Sequence, residues 1–274
     1  MFTTKVLFCL FGIFLVVSSA PDFKVQPRIS GGSPAGDAQY PFMCSIRLLN
    51  TGVLGTLIPT HICGGTLLSP SWVLTATDCV WSIPSLDLVY IVCGTNSLID
   101  LPNLPLLSIL NQNGDKQVRS ISTQVPSPGG GPLSLSVLGV SQPFTLNAHI
   151  QPVNPASLLP PEGSPVTIMG WQNVLTTQLQ VTNVDIISNS QCQADVAGKA
   201  PAITVTANMF CTGNPESGYG DCDADKGSPV MDNDVLIGVN LWSPTGCAVT
   251  GLTQPYPNVH FSIPSFLGFV SQFT

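Results

Sequence analysis

Residues 63–79 read Cys-Gly-Gly-Thr-Leu-Leu-Ser-Pro-Ser-Trp-Val-Leu-Thr-Ala-Thr-Asp-Cys. Inside the two cysteines, residues 66–74 have the length and apolar, β-branched composition of a short buried strand. Segments of the same kind recur at 42–49, 88–93, 165–170 and 235–242, each bounded by turn residues. The chain carries 25 Gly and 25 Pro, spread so that no long helix survives. A helical pattern holds only at 188–197 and at the C-terminus, 263–273. Many short strands without alternating helices predict closed barrels or a sandwich. Residues 101–131 are the least regular, with Pro102, Pro105, Pro126, Pro128 and three consecutive glycines from Gly129. They are expected to be long surface loops around one or two strands. There is no internal repeat, no low-complexity tail and no N-x-Ser/Thr sequon.

Working outward to the N-terminus, Lys5 precedes an apolar run at 6–17, and Ser18, Ser19 and Ala20 follow it. That order is a secretory signal peptide, residues 1–20. The run is shorter than the roughly 20 apolar residues a membrane span needs, and Pro, Gly, Asn or Asp interrupt every later one. About 250 residues remain, enough for one large all-β unit or two barrels sharing an interface. After Arg28, five cationic side chains stand against fourteen Asp and Glu, a net charge of nine negative. A nucleic-acid partner and an anionic membrane surface are therefore disfavoured. Cys9 leaves with the signal, and eight cysteines remain, an even number that in an exported chain implies disulfides. Spacing alone leaves their connectivity open. No CxxC pair of the zinc type and no His, Asp and Glu cluster is present, so neither metal nor cofactor is expected. His149 and His260 read as packing or loop residues.

Several motifs fall in one order. They are Arg28-Ile29-Ser30-Gly31-Gly32, Cys63 to Leu67 with Trp72 to Ala76, and His149-Ile150-Gln151-Pro152-Val153. Gly170-Trp171, Asn208 to Gly213, Asp225 with Gly227 and Pro229, and Pro257-Asn258-Val259 complete the set. Together, from Ile29 to the C-terminus, they resemble the trypsin/chymotrypsin family (peptidase S1). The resemblance implies an all-β fold of two packed six-stranded antiparallel Greek-key barrels with a C-terminal helix. The domain would span 29–274, with the first barrel at about 29–145 and the second at about 150–274. It also implies the disulfides Cys63–Cys79, Cys192–Cys211 and Cys222–Cys247. Cys44 and Cys93 are left over, on strands expected to be neighbours, and are expected to form a fourth bridge. Arg28-Ile29 resembles the family's activation site, which would release a short propeptide, residues 21–28. Asp225 matches the acid that receives the new amino terminus. His61 matches a position that holds that acid in some uncut relatives.

The family's chemistry needs a hydroxyl nucleophile, an imidazole to take its proton and a carboxylate to orient that imidazole. In this sequence the imidazole position is Asp78, the carboxylate position is Ser134 and the nucleophile position is Lys226. Loss of such a triad lowers kcat on the order of 10⁶-fold, so the expected protein is a pseudoenzyme. A lysine base or nucleophile needs desolvation or a neighbouring cation, whereas Lys226 has Asp78, Asp221 and Asp223 about it. An Asp78–Lys226 ion pair is expected across the cleft, with Ser134 hydrogen-bonded to Asp78. One oxyanion-hole glycine is replaced by Ala224, and Ser243 and Asn258 are expected to plug the specificity pocket. Its base falls at Gly220 beside Asp221, which gives no ground for arguing a cation preference. The function expected is a secreted, non-catalytic binding or regulatory protein. Its partners would be extracellular proteins: proteases, inhibitors or recognition proteins. The alternatives are a rewired hydrolase, including a Ser134–Lys226 dyad, and an inert abundant secreted protein.

Overall fold

The structure is a computed structural model that describes residues 32–51, 57–98, 115–171, 177–199, 202–213, 225–243 and 257–274. Residues 63–79 form not one strand with flanks but a hairpin. Strand β3 (Leu57–Ser69) turns at Pro70 and Ser71 into β4 (Trp72–Ala76), with Ser69 opposite Trp72. The expected strand at 66–74 is thus divided. Pro70 supplies no ladder N–H, so the backbone reverses there although apolar residues continue on both sides.

Before this hairpin lie β1 (Ser33–Pro34) and β2 (Met43–Thr51); after it come β5 (Val89–Cys93), β6 (Gln117–Pro126) and β7 (Leu135–Val140). The ring β2-β3-β4-β7-β6-β5 closes on itself, leaving no edge. The second half supplies β8 (Asn154–Pro155), β9 (Pro165–Gly170), β10 (Gln180–Ile187), β11 (Met209–Thr212), β12 (Pro229–Asp232), β13 (Val235–Trp242) and β14 (Asn258–Ser262). Here β10-β11-β14-β13-β12-β9 closes through the β9–β10 pairing. Both rings are six-stranded and antiparallel; the short β8 pairs in parallel with β13. Ile46, Leu67, Leu74, Ile91, Leu135 and Leu138 are fully buried on first-ring strands. A separate cluster of Val166, Ile168, Val184, Ile186, Phe210, Val230 and Ile237 comes from five second-ring strands.

The chain ends cross between the rings. β1 pairs with β10 of the second ring. In return the Phe273 ring packs edge-on against Trp72 of β4 at 4.9 Å, and Ser69 Oγ donates to the Phe273 carbonyl. The helix at Asn189–Val196 starts where Ser188 Oγ accepts from the Gln191 amide. The expected C-terminal helix is shorter than 263–273: a 3₁₀ turn at Ile263–Phe266, with Pro264 in its first turn, leads into an α-turn at Leu267–Val270. Of 101–131, residues 101–114 lie outside the described residues. The rest contains the ten-residue strand β6 and a turn in which Gly129, Gly130 and Gly131 all have positive φ.

Disulfides join Cys63 to Cys79 and Cys192 to Cys211. Cys44 and Cys93 face each other in the β2–β5 register and are also bridged, tying two neighbouring staves of the first barrel. A bridge of this kind typically contributes about 2–4 kcal/mol. Cys222 and Cys247 lie outside the described residues.

Candidate functional site

The two rings meet backbone to backbone. The Gly64 amide of β3 donates to the Lys226 carbonyl at 2.8 Å, and Thr75 Oγ1 of β4 donates to the Gly64 carbonyl at 2.9 Å. This approach needs glycine on both sides. A Cβ on Gly64 would stand 2.0 Å from Ser228 Oγ, and one on Gly227, which has φ +78°, would stand 2.1 Å from Thr75 Oγ1. The turn carrying Asp225, Lys226 and Gly227 is thereby clamped against β3 and β4.

That clamp places Lys226 opposite the end of β4. There the chain enters the short helix Asp78–Trp81, whose first residue projects into the cleft. Lys226 Nζ lies 2.9 Å from Asp78 Oδ2. The expected ion pair is present. With the two side chains 22% and 42% exposed, it contributes only about 0–1 kcal/mol to stability.

Ser134 does not join the pair. It is buried, and its Oγ donates to the Gly131 carbonyl at 2.7 Å. Its other bond is to Thr77 Oγ1 at 2.8 Å, and Thr77 in turn bonds Ser136. Each hydroxyl has one proton, so the chain runs in one direction: Gln124 donates to Ser136, Ser136 to Thr77, Thr77 to Ser134 and Ser134 to Gly131. The expected Ser134–Asp78 bond is replaced because Thr77 offers a nearer hydroxyl. Among the described residues Ser134 bonds Gly131 and Thr77, and no Ser134–Lys226 hydrogen bond accompanies them.

On the pocket side, Asn258 Nδ2 donates to Ser243 Oγ at 2.6 Å, and both residues are fully buried. These two side chains, from β14 and the end of β13, bond to each other where an open pocket would need small residues. Gly220, Asp221, Asp223 and Ala224 lie outside the described residues, as do Arg28 and Ile29. Asp225 is fully buried, and its carboxylate occupies the space that Gly170 leaves: a Cβ there would stand 1.8 Å from Oδ1. His61 stacks edge-on against the next residue, Trp171, at 5.2 Å, and its Nδ1 is 2.8 Å from Ser45 Oγ.

Two features were not foreseen. Arg47 is only 2% exposed and donates through Nε to Ser45 Oγ, extending the His61 contact into the barrel wall. His149 is more than a loop residue, since Nε2 is 3.1 Å from Asp37 and Nδ1 is 3.1 Å from Asp115. It links the segment after β1 to the turn that leads into β6. His260, read as a packing residue, is fully buried with Nε2 2.7 Å from Thr212 Oγ1, and burial lowers its pKa to about 3. Among the described residues, no three His, Cys, Asp or Glu side chains are placed to hold a metal ion.

A family model described as trypsin matches residues 29–267. Among curated proteins, serine protease 1 of Rattus norvegicus is 27% identical over 94% of this chain and 95% of its own length. Trypsin II-P29 of Gallus gallus is 27% identical over 98% of each. Trypsin-2 of Salmo salar is 30% identical over 73% of this chain and 80% of its own.

Proposed function

Because the chain belongs to the trypsin family, yet sets Asp78, Ser134 and Lys226 where that chemistry needs an imidazole, a carboxylate and a hydroxyl, we propose that it is a secreted, non-catalytic binding or regulatory protein. The observation that carries this reading is the 2.9 Å contact of Lys226 Nζ with Asp78 Oδ2. In this contact Lys226 serves as hydrogen-bond donor to a carboxylate, and among the described residues no neighbouring cation activates it as a base or nucleophile. The Asn258–Ser243 bond supports it further, since it joins the two side chains expected to plug the specificity pocket. Residues 1–20 and the disulfides fit an oxidising, extracellular setting. The partners we propose are extracellular proteins.

Peptide anilides and alkyl esters should turn over no faster with this protein than without it, before or after a cut at Arg28, and Lys226→Ala should change nothing. Hydrolysis that disappears in Lys226→Ala would overturn the reading in favour of a rewired hydrolase.

We also propose that the Arg28–Ile29 bond is a working switch, with Asp225 as acceptor of the new amino terminus. What supports this is that Asp225, at the position matching the family's acceptor acid, is fully buried beside Gly170. Cutting after Arg28 should raise the melting temperature, and Asp225→Asn should abolish the rise. An unchanged melting temperature in the cut wild-type chain would remove the switch.

A further inference from the structure

We propose that the cleft beside the Asp78–Lys226 pair binds a primary ammonium borne on a carbon that also carries an apolar side chain. This rests on the reading of the cleft as a binding site and names its ligand.

A cavity of about 460 Å³ opens at the pair, within the size range of small-molecule sites. Its walls include Leu48 of β2, Ile62 of β3 and Ile83 just past the helix Asp78–Trp81. Three aliphatic side chains suit an apolar group of the ligand. The polar rim is Asp78 and Lys226 with the Ser82 hydroxyl, so its charged groups are that pair. Asp78 bonds Lys226 through Oδ2, and Oδ1 has no hydrogen bond among the described residues. A carboxylate accepts on both oxygens, so a second ammonium can bind Oδ1 while Lys226 stays on Oδ2. The carboxylate is also the more exposed partner, 42% against 22%, so it is the group that an arriving ligand meets. The nine net negative charges after Arg28 draw cations toward the surface and repel anions from Lys226. A peptide amino terminus with an aliphatic first residue and a small free amine share this chemistry.

Calorimetric titrations of the full-length secreted protein with leucinamide, glycinamide, N-acetyl-leucinamide and the peptide Leu-Gly-Gly test the proposal. Leucinamide should bind, while glycinamide, which lacks the side chain, and the acetylated compound, which lacks the charge, should bind at least tenfold more weakly. Leu-Gly-Gly binding at least as tightly as leucinamide would identify a peptide terminus as the source, and weaker binding a small amine. Asp78→Asn should weaken leucinamide at least tenfold. Lys226→Met, which frees both carboxylate oxygens, should strengthen it and guards against a folding failure in the first variant. Equal binding of the acetylated compound, or no change in either variant, overturns the proposal. Following the mixtures by proton NMR separates the two readings: release of leucine from leucinamide refutes the non-catalytic function. Intact leucinamide that does not bind refutes only the ligand.

Discussion

Gly227→Ala should yield little folded protein, with a loss of stability above about 3 kcal/mol. Two separate penalties act at this residue. With φ at +78°, any side chain is strained, at on the order of 1–3 kcal/mol. The added Cβ would also stand 2.1 Å from Thr75 Oγ1 and 2.4 Å from the Gly64 carbonyl oxygen. The second of these is backbone, fixed by Thr75 Oγ1 and by the β2 and β4 ladders on either side. Relief would require the rings to separate at their Gly64–Lys226 contact. A domain of this size is stable by only about 5–15 kcal/mol, so the combined loss reaches the scale of failed folding. Gly129→Ala is the control, because Gly129 has φ +97° with nothing within 4 Å of its added Cβ. It carries the strain without the crowding and should cost about 1 kcal/mol in urea unfolding. Equal losses in the two variants would mean that the ring contact has no such rigidity.

The same contact shows what was legible from the sequence. Gly64 and Gly227 lie within the motifs that carried the family resemblance and the two-barrel fold, but their contact at the ring junction was not legible in them. Opposite charges at two positions expected to face each other foretold the Asp78–Lys226 pair. The failures have physical causes. Apolar character runs unbroken from Thr66 to Leu74 except at Ser69, Pro70 and Ser71, so period and composition hid a reversal made by two turn residues. The partner of Ser134 was misassigned because Thr77, one residue before Asp78, places its own hydroxyl 2.8 Å from Ser134 Oγ. His149 links residues 37 and 115, and no local pattern connects positions that far apart. Buried Arg47 breaks the rule that charged side chains stay outside, and its reason, Ser45 beside His61, is visible only once β2 and β3 are in register.

Stability should fall steeply on mild acidification, and His260 should account for a large share of the fall. The residue sits on β14, wholly buried, with Phe210 of β11 and Asn240 of β13 as its cross-strand neighbours. Its ring lies 5.1 Å from Phe210, and Nε2 bonds Thr212. None of these groups is charged, so nothing there compensates an imidazolium, and burial lowers the folded pKa to about 3. In the unfolded chain the same imidazole titrates near 6.5. Above that value both states are neutral and His260 adds no pH dependence. Between about 6.5 and about 3 the unfolded chain binds a proton that the folded chain refuses, so stability falls as pH falls, by roughly 1.4 kcal/mol per pH unit. Across the whole window of about 3.5 pH units the loss is on the order of 5 kcal/mol. Carboxylates add their own dependence at the acid end, so the informative quantity is the difference between wild type and His260→Gln, which keeps a polar group near Thr212 without a titrating ring. Urea unfolding at several pH values from 7 to 4 should show the wild-type curve steeper by about one bound proton, with the two converging in slope above 6.5. Parallel curves throughout would mean that the folded protein accepts the proton, and hence that the barrel opens to water at β14.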